Sequence, residues 1–303
     1  MTATATLGGS SGSPGASFLK MAGGGNDFAV FDDREERIAD PAALARALTV
    51  RRLSVGGDGI ILIRRSERAS VRMVYHNADG SLADFCANGT RCAARFAFLQ
   101  GIAPARMTIE TGHAVVGAEV SAAGRVTLEL PPPTEIEREK PLRLAGGEVV
   151  RGGYLMVGVP HYVLFVEDDL WAMDIDPMGS EIRRHADLPL GANVNFVRAR
   201  GGRRIEVRTW ERGVEAETLS CGSGVVASSL MSVLAGRAEA PVEVLTRSGI
   251  LLEVDGVGDP KTMREVLLTG DARVVYRAEM TEESLTGFDP DWVRRPTSSS
   301  SPS

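Results

Sequence analysis

Two of the three cysteines occupy equivalent places in the sequence. Cys86 is followed by Ala-Asn-Gly and Cys221 by Gly-Ser-Gly, and each follows a strand-like stretch and precedes a helix-like one. The first backbone N–H groups of a helix lack intrahelical acceptors and carry partial positive charge. A thiol placed there is expected to have a lowered pKa, and the same N–H groups can bind a carboxylate. The sequence therefore predicts two acid–base thiols acting on a carboxylate-bearing ligand.

Such a pair suits removal and return of the α-proton of an amino acid. The reaction is hard because negative charge must spread into a carboxylate that is already anionic, and helix N-termini aimed at that carboxylate stabilise the charge. With a thiolate on one face of the α-carbon and a thiol on the other, a proton leaves one side and another arrives from the opposite side. The product is the inverted stereocentre. No Walker or Rossmann glycine motif points to a cofactor.

Two other interpretations of the cysteines are open at the level of sequence. A buried cysteine is usually an inert apolar residue, and this is the prediction for Cys92, whose matching place in the second half is Ala227. A metal site is the other alternative, with Cys86, Cys92, His76 and His161 as its candidate ligands. It ranks below catalysis because the spacing between Cys86 and Cys92 is unlike that of a zinc knuckle and no C-x-x-C pair is present.

The elements that must position the two cysteines repeat along the chain. Residues 55–62 align with 190–197, and the strand-like stretches ending at Tyr75 and Trp210 align with each other, both at the offset that separates Cys86 from Cys221. Weaker matches occur at nearly the same offset. The predicted fold class is α+β, with two pseudo-symmetric lobes, each a mostly antiparallel sheet or barrel wrapped around a central helix that begins at Cys-x-x-Gly.

Local patterns place the other elements and the lobe boundaries. Alternation predicts strands at 71–75, 125–130 and 204–209, and Asp40 followed by Pro41 predicts a helix N-terminus. The prolines at 131–133 and the charged run 135–140 suggest a linker. We expect an N-terminal lobe of residues 18–131 plus about 271–288, a C-terminal lobe of 132–270, and disordered tails at 1–17 and 289–303.

Composition excludes several classes of protein. The chain has 303 residues, 43% of them hydrophobic, and a formal net charge of −6, so it can bury a large core but offers no basic field for nucleic acid. No stretch is long and apolar enough to predict a membrane helix. Three cysteines and an N-terminus without signal-peptide character predict a reducing, cytoplasmic location.

The sequence resembles the diaminopimelate epimerase family over about residues 18 to 280. That family inverts one centre of LL-2,6-diaminopimelate to give the meso form without a cofactor. The resemblance rests on ordered segments that are specific together: Lys20–Phe28, Val55–Gly59, Asn77–Ser81, Cys86–Cys92, Pro160–His161, Asn193–Phe196, Glu211–Gly213 and Glu217–Gly224.

The resemblance implies roles for particular residues. Cys86 and Cys221 are implied to be the catalytic acid and base, and His161 and Glu211 to adjust the protonation of the two thiols. The implied substrate-binding residues are Asn26, Asn77, Ala87, Asn88, Asn193, Glu211, Arg212, Gly222 and Ser223. Ala87, Asn88, Gly222 and Ser223 are the ones expected to hold the carboxylate at the reacting centre.

The resemblance also implies an active site in the cleft between lobes, a homodimer, a role in lysine biosynthesis, diaminopimelate as the small-molecule partner, and no metal. The sequence departs from the family pattern at Ala87, where Gly is usual, and at Val159, where a substrate-binding Asn is common. Residues 211–218 are also one residue longer than the commonest spacing. The alternatives are a racemase or dehydratase of another amino acid, such as the proline racemase group, and a non-catalytic or metal-binding relative.

Overall fold

The computed structural model describes residues 16–293, so the tail predictions for residues 1–15 and 294–303 lie outside the described part of the chain. The first seven strands are β1 (Ser17–Gly23), β2 (Asn26–Asp32), β3 (Gly59–Arg64), β4 (Val71–Asn77), β5 (Leu82–Ala83), β6 (Arg106–Glu110) and β7 (Val115–Val120). They are followed by β8 (Val126–Leu130), β9 (Thr134–Arg143), β10 (Val149–Val157), β11 (Val159–Phe165), β12 (Asn193–Ala199) and β13 (Arg204–Glu211). The last are β14 (Ala216–Thr218), β15 (Val242–Thr246), β16 (Leu251–Asp255), β17 (Val266–Gly270) and β18 (Arg273–Glu279).

The helices are α1 (Pro41–Leu48), α2 (Ala87–Leu99), α3 (Asp176–Arg183), α4 (Gly222–Leu234) and the single turn α5 (Pro290–Val293), with a 3-10 turn at Glu282–Ser284. Asp40 caps α1 as predicted, since its Oδ1 accepts the Ala43 N–H at 2.9 Å. Two residue ranges predicted to be tails are ordered at their inner ends, because Ser17 begins β1 and residues 290–293 form α5. Within the described residues, no helix is long and apolar enough to cross a membrane.

The described chain forms two compact units. The first contains residues 16–22, 27–115 and 273–293, and the second contains Gly23–Asn26 and Val116–Ala272. Each unit includes one helix of 13 residues that begins directly after a cysteine, α2 after Cys86 and α4 after Cys221.

The two units repeat one strand arrangement, as the sequence predicted. In the first unit β2 and β3 are parallel with α1 between them in the chain, β3 and β4 are antiparallel, and β4 is parallel to β6. In the second unit β11 and β12 are parallel with α3 between them, β12 and β13 are antiparallel, and β13 is parallel to β15. Other strand pairs of the two units are antiparallel, for example β1 with β18 and β10 with β9.

Each unit has its own apolar core. In the first unit Leu44 and Leu48 of α1 pack with Phe31, Ile60 and Leu62 of the sheet. In the second unit a cluster around Ile182 of α3 includes the residues Tyr162, Val194, Phe196 and Trp210. Burial of these side chains, at about 1.5–3 kcal/mol each, holds the helices on the sheets that carry the polar residues described below.

The structure places the boundary between the units earlier than the sequence analysis did. Residues 116–131 belong to the second unit, because β8 pairs antiparallel with β17, joining Val126–Leu130 to Val266–Gly270. The interpretation of residues 131–140 as a linker is wrong. Residues 134–143 form β9, which pairs with β10, and the Tyr162 hydroxyl donates a hydrogen bond to the Lys140 carbonyl at 2.7 Å. The charged side chains of β9 are mostly exposed, and Leu142 of this strand is buried.

Candidate active site

The two repeat-related cysteines occupy the same position in their units, the N-cap of a 13-residue helix. Both have extended backbones, with φ −148° and ψ 107° at Cys86 and φ −109° and ψ 110° at Cys221. The Gly89 N–H donates to Cys86 Sγ at 3.4 Å, and Cys221 Sγ lies 3.4 Å from Ser223 Oγ. All three cysteines are thiols in the structure, and Cys92 is fully buried inside α2. Each of the two N-cap sulfurs thus lies against the first turn of its helix.

In the first unit the carboxylate-binding candidates lie in the first turn of α2. Ala87 and Asn88 are buried, and Asn88 Oδ1 accepts a hydrogen bond from Arg91 Nη2 at 2.7 Å. Arg91 is 0% exposed, which makes it the largest fully buried side chain in the described chain. Since a guanidinium can only donate, this bond makes Nδ2 the donor end of the Asn88 amide.

The other two first-half candidates end and begin strands. Asn77 ends β4, and its Nδ2 donates to Ser81 Oγ at 3.0 Å, so its side chain closes the turn at residues 77–81. Asn26 begins β2 but groups with the second unit, together with Gly23–Gly25. There the Gly24 N–H donates to Asp271 Oδ1 at 2.9 Å, and a Cβ on Gly25 would lie 2.8 Å from Leu219 Cβ.

In the second unit the substrate-binding candidates Asn193 and Arg212 are brought together. Asn193 Oδ1 accepts the Arg212 backbone N–H at 2.8 Å, and Arg212 Nη1 donates to the Leu190 carbonyl at 2.9 Å. The guanidinium is thereby anchored at one nitrogen. Its fork geometry suits a carboxylate. Gly222 and Ser223 form the first turn of α4, where Gly222 is buried and Ser223 is half-buried.

The hairpin that carries Glu211 joins β13 to β14. Glu211 pairs with Ala216 across β13 and β14, and Glu215 takes a left-handed φ of 59° while its N–H donates to the Glu211 carbonyl at 2.8 Å. Thr218 Oγ1 donates to Glu211 Oε2 at 2.8 Å. Burial nevertheless raises the pKa of Glu211 above its ordinary value, with the Thr218 bond opposing the rise.

His161 is 0% exposed and lies on β11 beside Asn193 of β12. Burial lowers its pKa to about 3, and the nearby charge of Arg212 acts in the same direction. Its Nδ1 lies 3.2 Å from Asn195 Nδ2, and its Nε2 has no hydrogen-bond partner among residues 16–293. His161 is therefore a neutral imidazole at physiological pH.

We expect His161 to weaken the fold in acid. Its pKa is about 3 in the folded chain, against about 6.5 in an unfolded one. The unfolded state therefore binds more protons between these values, and stability falls as the pH drops below about 6.5. Urea unfolding at pH 7.0, 6.0 and 5.0 should show a smaller loss of unfolding free energy for His161→Gln than for the unchanged protein. Equal losses would contradict a buried neutral His161. Glu211 is present in both proteins, so its opposite contribution cancels.

Sequence reasoning missed several residues that support the predicted ones. Thr209 lies opposite both Asn195 and Thr218 in the sheet, and the buried Asn195 accepts the Thr209 hydroxyl at 2.9 Å. Period-two alternation could have found two of these residues, since Asn195 shares a strand face with Asn193 and Thr209 shares one with Glu211. The Arg91–Asn88 bond joins residues three apart in α2, so helical i,i+3 spacing could have found Arg91 as well.

The alternative metal site is not assembled in the described part of the chain. Among residues 16–293 no group of three or more His, Cys, Asp or Glu side chains is arranged to hold a metal ion. His76, one of the candidate ligands, has its Nδ1 3.0 Å from the Gly80 carbonyl oxygen.

Comparison with known sequences identifies close relatives. The profile of a family described as diaminopimelate epimerase matches residues 18–134 and 153–275. The diaminopimelate epimerase of Aquifex aeolicus is 41% identical over 281 residues, covering 88% of this chain and 99% of that one. The diaminopimelate epimerase of Chlorobaculum tepidum is 38% identical over 270 residues, covering 86% of this chain and all of the other.

Solved structures share the fold at low identity. A PhzF-family phenazine biosynthesis protein of Bacillus anthracis superposes with a TM-score of 0.64 at 14% identity, covering 88% of this chain and 98% of that one. A probable proline racemase of Agrobacterium radiobacter superposes with a TM-score of 0.62 at 15% identity, covering 88% and 93%. These likenesses confirm the predicted α+β fold of two pseudo-symmetric lobes.

Proposed function

The chain belongs to the diaminopimelate epimerase family, an isomerase family, and from that premise we propose that it inverts one α-carbon of LL-2,6-diaminopimelate to give meso-diaminopimelate. The observation that carries the proposal is the equivalence of Cys86 and Cys221. Each caps the N-terminus of a 13-residue helix, and the two helices occupy the same place in the repeated strand arrangement. A reaction that needs one acid–base group for each face of a carbon matches two equivalent thiols.

In the proposed mechanism the two thiols act on the same α-carbon. One sulfur, as thiolate, takes the α-proton, and the other, as thiol, delivers a proton to the opposite face, so that the configuration inverts. The two sulfurs exchange protonation states in each turnover, and the reverse reaction uses them in the opposite roles. Protons balance without a cofactor, since one is taken from carbon and one is returned to it.

The first turns of the two helices supply the electrostatic part of the mechanism. The backbone N–H groups at Ala87 and Gly222 and the side chains of Asn88 and Ser223 are proposed to hold the carboxylate at the reacting carbon. As the α-proton leaves, charge spreads into this carboxylate. Donors already fixed in place stabilise the charge without reorganisation. The bond from Arg91 supports this role for Asn88, because it orients the amide with Nδ2 as the donor.

The remaining polar candidates are proposed to hold the other amino-acid end of the substrate. Arg212 offers a guanidinium for the distal carboxylate. Asn193 Oδ1 accepts the Arg212 backbone N–H at 2.8 Å and so holds the Arg212 backbone in place. Asn26 and Asn77 supply further amide groups, and Glu211 supplies a carboxyl. Val159 begins β11 at the place where the resemblance implies a substrate-binding Asn, so these residues must bind the distal end without that amide.

His161 and Glu211 are proposed to set the protonation of the thiols. Burial of these two side chains determines the charge state in which each acts. Because the pKa of His161 lies near 3, its imidazole acts as a neutral hydrogen-bonding group and not as a proton carrier. The raised pKa of Glu211 keeps its carboxyl closer to the protonated form than an exposed glutamate would be, which limits negative charge near the reacting anions.

Incubation with LL-diaminopimelate in deuterated water tests the proposal. We expect deuterium to enter one α-carbon while the meso isomer forms. Mass spectrometry measures the deuterium, and chiral chromatography measures the meso isomer. L-proline and L-glutamate serve as comparison substrates, because each lacks the second amino-acid end. If none of the three compounds exchanged its α-hydrogen, the proposed reaction would be refuted. Exchange with L-proline alone would keep the two-thiol chemistry and favour the alternative of a racemase for another amino acid.

The proposed setting of the reaction is lysine biosynthesis in the cytoplasm. Meso-diaminopimelate is a dibasic, dicarboxylic amino acid that a decarboxylase could convert to lysine. The proposed chemistry needs two reduced thiols, which a reducing compartment maintains.

We expect the proposed enzyme to be a homodimer that uses β18. Three consecutive apolar residues of this strand are exposed, with Val274 at 38%, Val275 at 58% and Tyr276 at 42%. An exposed apolar strand is a common pairing surface. Light scattering after gel filtration should give about twice the mass of one chain, and Val275→Lys should shift the protein towards the monomer. Val149→Lys, at an exposed apolar position of β10, is the matched control. A monomeric unchanged protein, or equal effects of both variants, would contradict this interface.

A further inference from the structure

We propose that Asn195 is a positioning residue for the proposed reaction: it fixes the tautomer of His161 and seats the first turn of the helix that begins after Cys221. The inference rests on the proposed function for its kinetic consequence. Its structural part concerns the second unit alone. Neither the sequence pattern nor the resemblance assigned Asn195 a role.

Asn195 is fully buried and uses both ends of its amide. Its Nδ2 lies 3.2 Å from His161 Nδ1, 3.3 Å from the Tyr162 carbonyl oxygen and 3.4 Å from the Asn193 carbonyl oxygen. Its Oδ1 accepts the Thr209 hydroxyl at 2.9 Å. A buried amide in so many polar contacts has one orientation, since leaving any of these groups unsatisfied costs about 1–3 kcal/mol.

The two backbone carbonyls decide which end of the amide is nitrogen. If the amide were turned over, its oxygen would face two carbonyl oxygens, neither of which can donate a hydrogen bond. The Thr209 hydroxyl can donate or accept, so it fits either orientation. The group beside His161 Nδ1 must therefore be the amide NH2, a donor.

This assignment determines the state of the imidazole. A donor beside Nδ1 requires a lone pair on Nδ1, and in a neutral imidazole the proton then resides on Nε2. Burial keeps the ring neutral, since it lowers the His161 pKa to about 3. His161 Nε2–H is consequently a buried donor, and it has no partner within residues 16–293. With the Arg212 charge nearby, it suits an anion of the reaction, either a carboxylate of the substrate or a thiolate.

Asn195 also contacts the helix that carries the second cysteine. A Cβ placed on Gly224 would lie 2.3 Å from Asn195 Oδ1, 3.2 Å from Thr209 Oγ1 and 3.3 Å from Cys221 Cβ. The first turn of α4 thus rests directly on the Asn195 amide. One side chain therefore connects the His161 donor to the helix turn that presents Cys221.

Nitrogen-15 NMR of the histidine side chains tests the tautomer without substrate. In the unchanged protein we expect His161 to be protonated at Nε2 and unprotonated at Nδ1. In Asn195→Asp the carboxylate can only accept, so Nδ1 should become protonated. Thr209→Val is the matched control, because it removes the hydrogen bond at the other end of the same amide and should leave the His161 tautomer unchanged.

Kinetics on the same proteins test the consequence. Asn195→Asp should lower turnover by about 100-fold, as expected for loss of one oriented acid–base or donor group, and Thr209→Val by less than about 10-fold. A fall confined to kcat assigns the Nε2–H to a thiolate or the transition state, and a rise in KM assigns it to a substrate carboxylate.

Three results would overturn the inference. They are an Nδ1–H tautomer in the unchanged protein, an unchanged tautomer in Asn195→Asp, or equal activity of Asn195→Asp and Thr209→Val. The NMR result stands even if the unchanged protein fails to invert diaminopimelate, so failure of the proposed function and failure of the positioning role are distinguishable. If Asn195→Asp does not fold, the spectrum of the unchanged protein still decides the tautomer.

Discussion

Replacing either Cys86 or Cys221 with alanine is expected to abolish the conversion of LL- to meso-diaminopimelate, with a loss of about 10⁴-fold or more. Each substitution leaves one face of the α-carbon without a proton donor or acceptor, so inversion cannot be completed. The measurement is formation of the meso isomer by chiral chromatography at high enzyme concentration. Both sulfurs lie at helix N-caps, so alanine removes the thiol without removing the helix.

Hydrogen exchange separates the two thiols further. In each variant the remaining sulfur can take a proton only from the epimer that presents its α-hydrogen to that face. In deuterated water, Cys86→Ala and Cys221→Ala should therefore incorporate deuterium into different epimers. The incorporation should be slow and should occur without inversion. Exchange into the same epimer in both variants would contradict the assignment of one sulfur to each face.

Cys92→Ala is the matched control for the two catalytic substitutions. Cys92 is fully buried in α2 and is expected to act only by packing. Its replacement should keep activity within about threefold and lower the unfolding free energy by about 1 kcal/mol, as for removal of a small buried group. Similar losses of activity from all three cysteine variants would contradict the assignment of Cys86 and Cys221 as the catalytic pair and of Cys92 as a core thiol.

The second large effect is expected at Gly224, the third residue after Cys221. The new Cβ of Gly224→Ala would lie 2.3 Å from Asn195 Oδ1, which is held by its hydrogen bonds and cannot yield easily. The first turn of α4 must therefore move. We expect a loss of about 1–3 kcal/mol in unfolding free energy from overpacking. We also expect about a 100-fold loss of turnover, because a displacement of about 1 Å is enough to misplace a reacting group.

Gly89 is the equivalent glycine of the first unit and provides the control. A Cβ there would lie 3.2 Å from Ile61 Cδ1, the end of a flexible side chain, and 3.6 Å from Cys86 Sγ. Gly89→Ala should cost less than about 1 kcal/mol, because alanine also favours the helix. It should reduce turnover by less than about 10-fold. Urea unfolding and initial rates compare the two variants, and a larger loss at Gly89 than at Gly224 would contradict the proposed seating of α4 on Asn195.

The amino-acid sequence by itself predicted the two-thiol chemistry and determined the repeated architecture. Cys86 and Cys221 are recognisable because their surroundings are local: a strand, a Cys-x-x-Gly segment and a helix that follow one another closely in the chain. The same locality made the Asp40 cap and the constant offset between the two halves detectable. Short-range hydrogen bonds and side-chain alternation leave their pattern directly in the order of residues.

Only the tertiary structure decided how distant segments group. Residues 116–131 belong to the second unit because β8 pairs with β17, which lies near the other end of the chain, and Gly23–Asn26 groups there as well, with the Gly24 N–H bound to Asp271. The charged run after residue 133, which resembles a linker, is a strand because β10 supplies its backbone hydrogen bonds. A strand's composition does not specify which distant strand will pair with it.

The network behind the candidate site was likewise decided by tertiary structure. His161, Asn195 and Thr209 lie on three neighbouring strands, and Gly224 on a helix, so no spacing rule connects them. The sequence shows His161, Asn193 and Asn195 but not which of them lie in contact. The sheet register placed one amide against Nδ1 of the imidazole, and burial made the ring neutral, because desolvation of a charged group depends on what the fold packs around it.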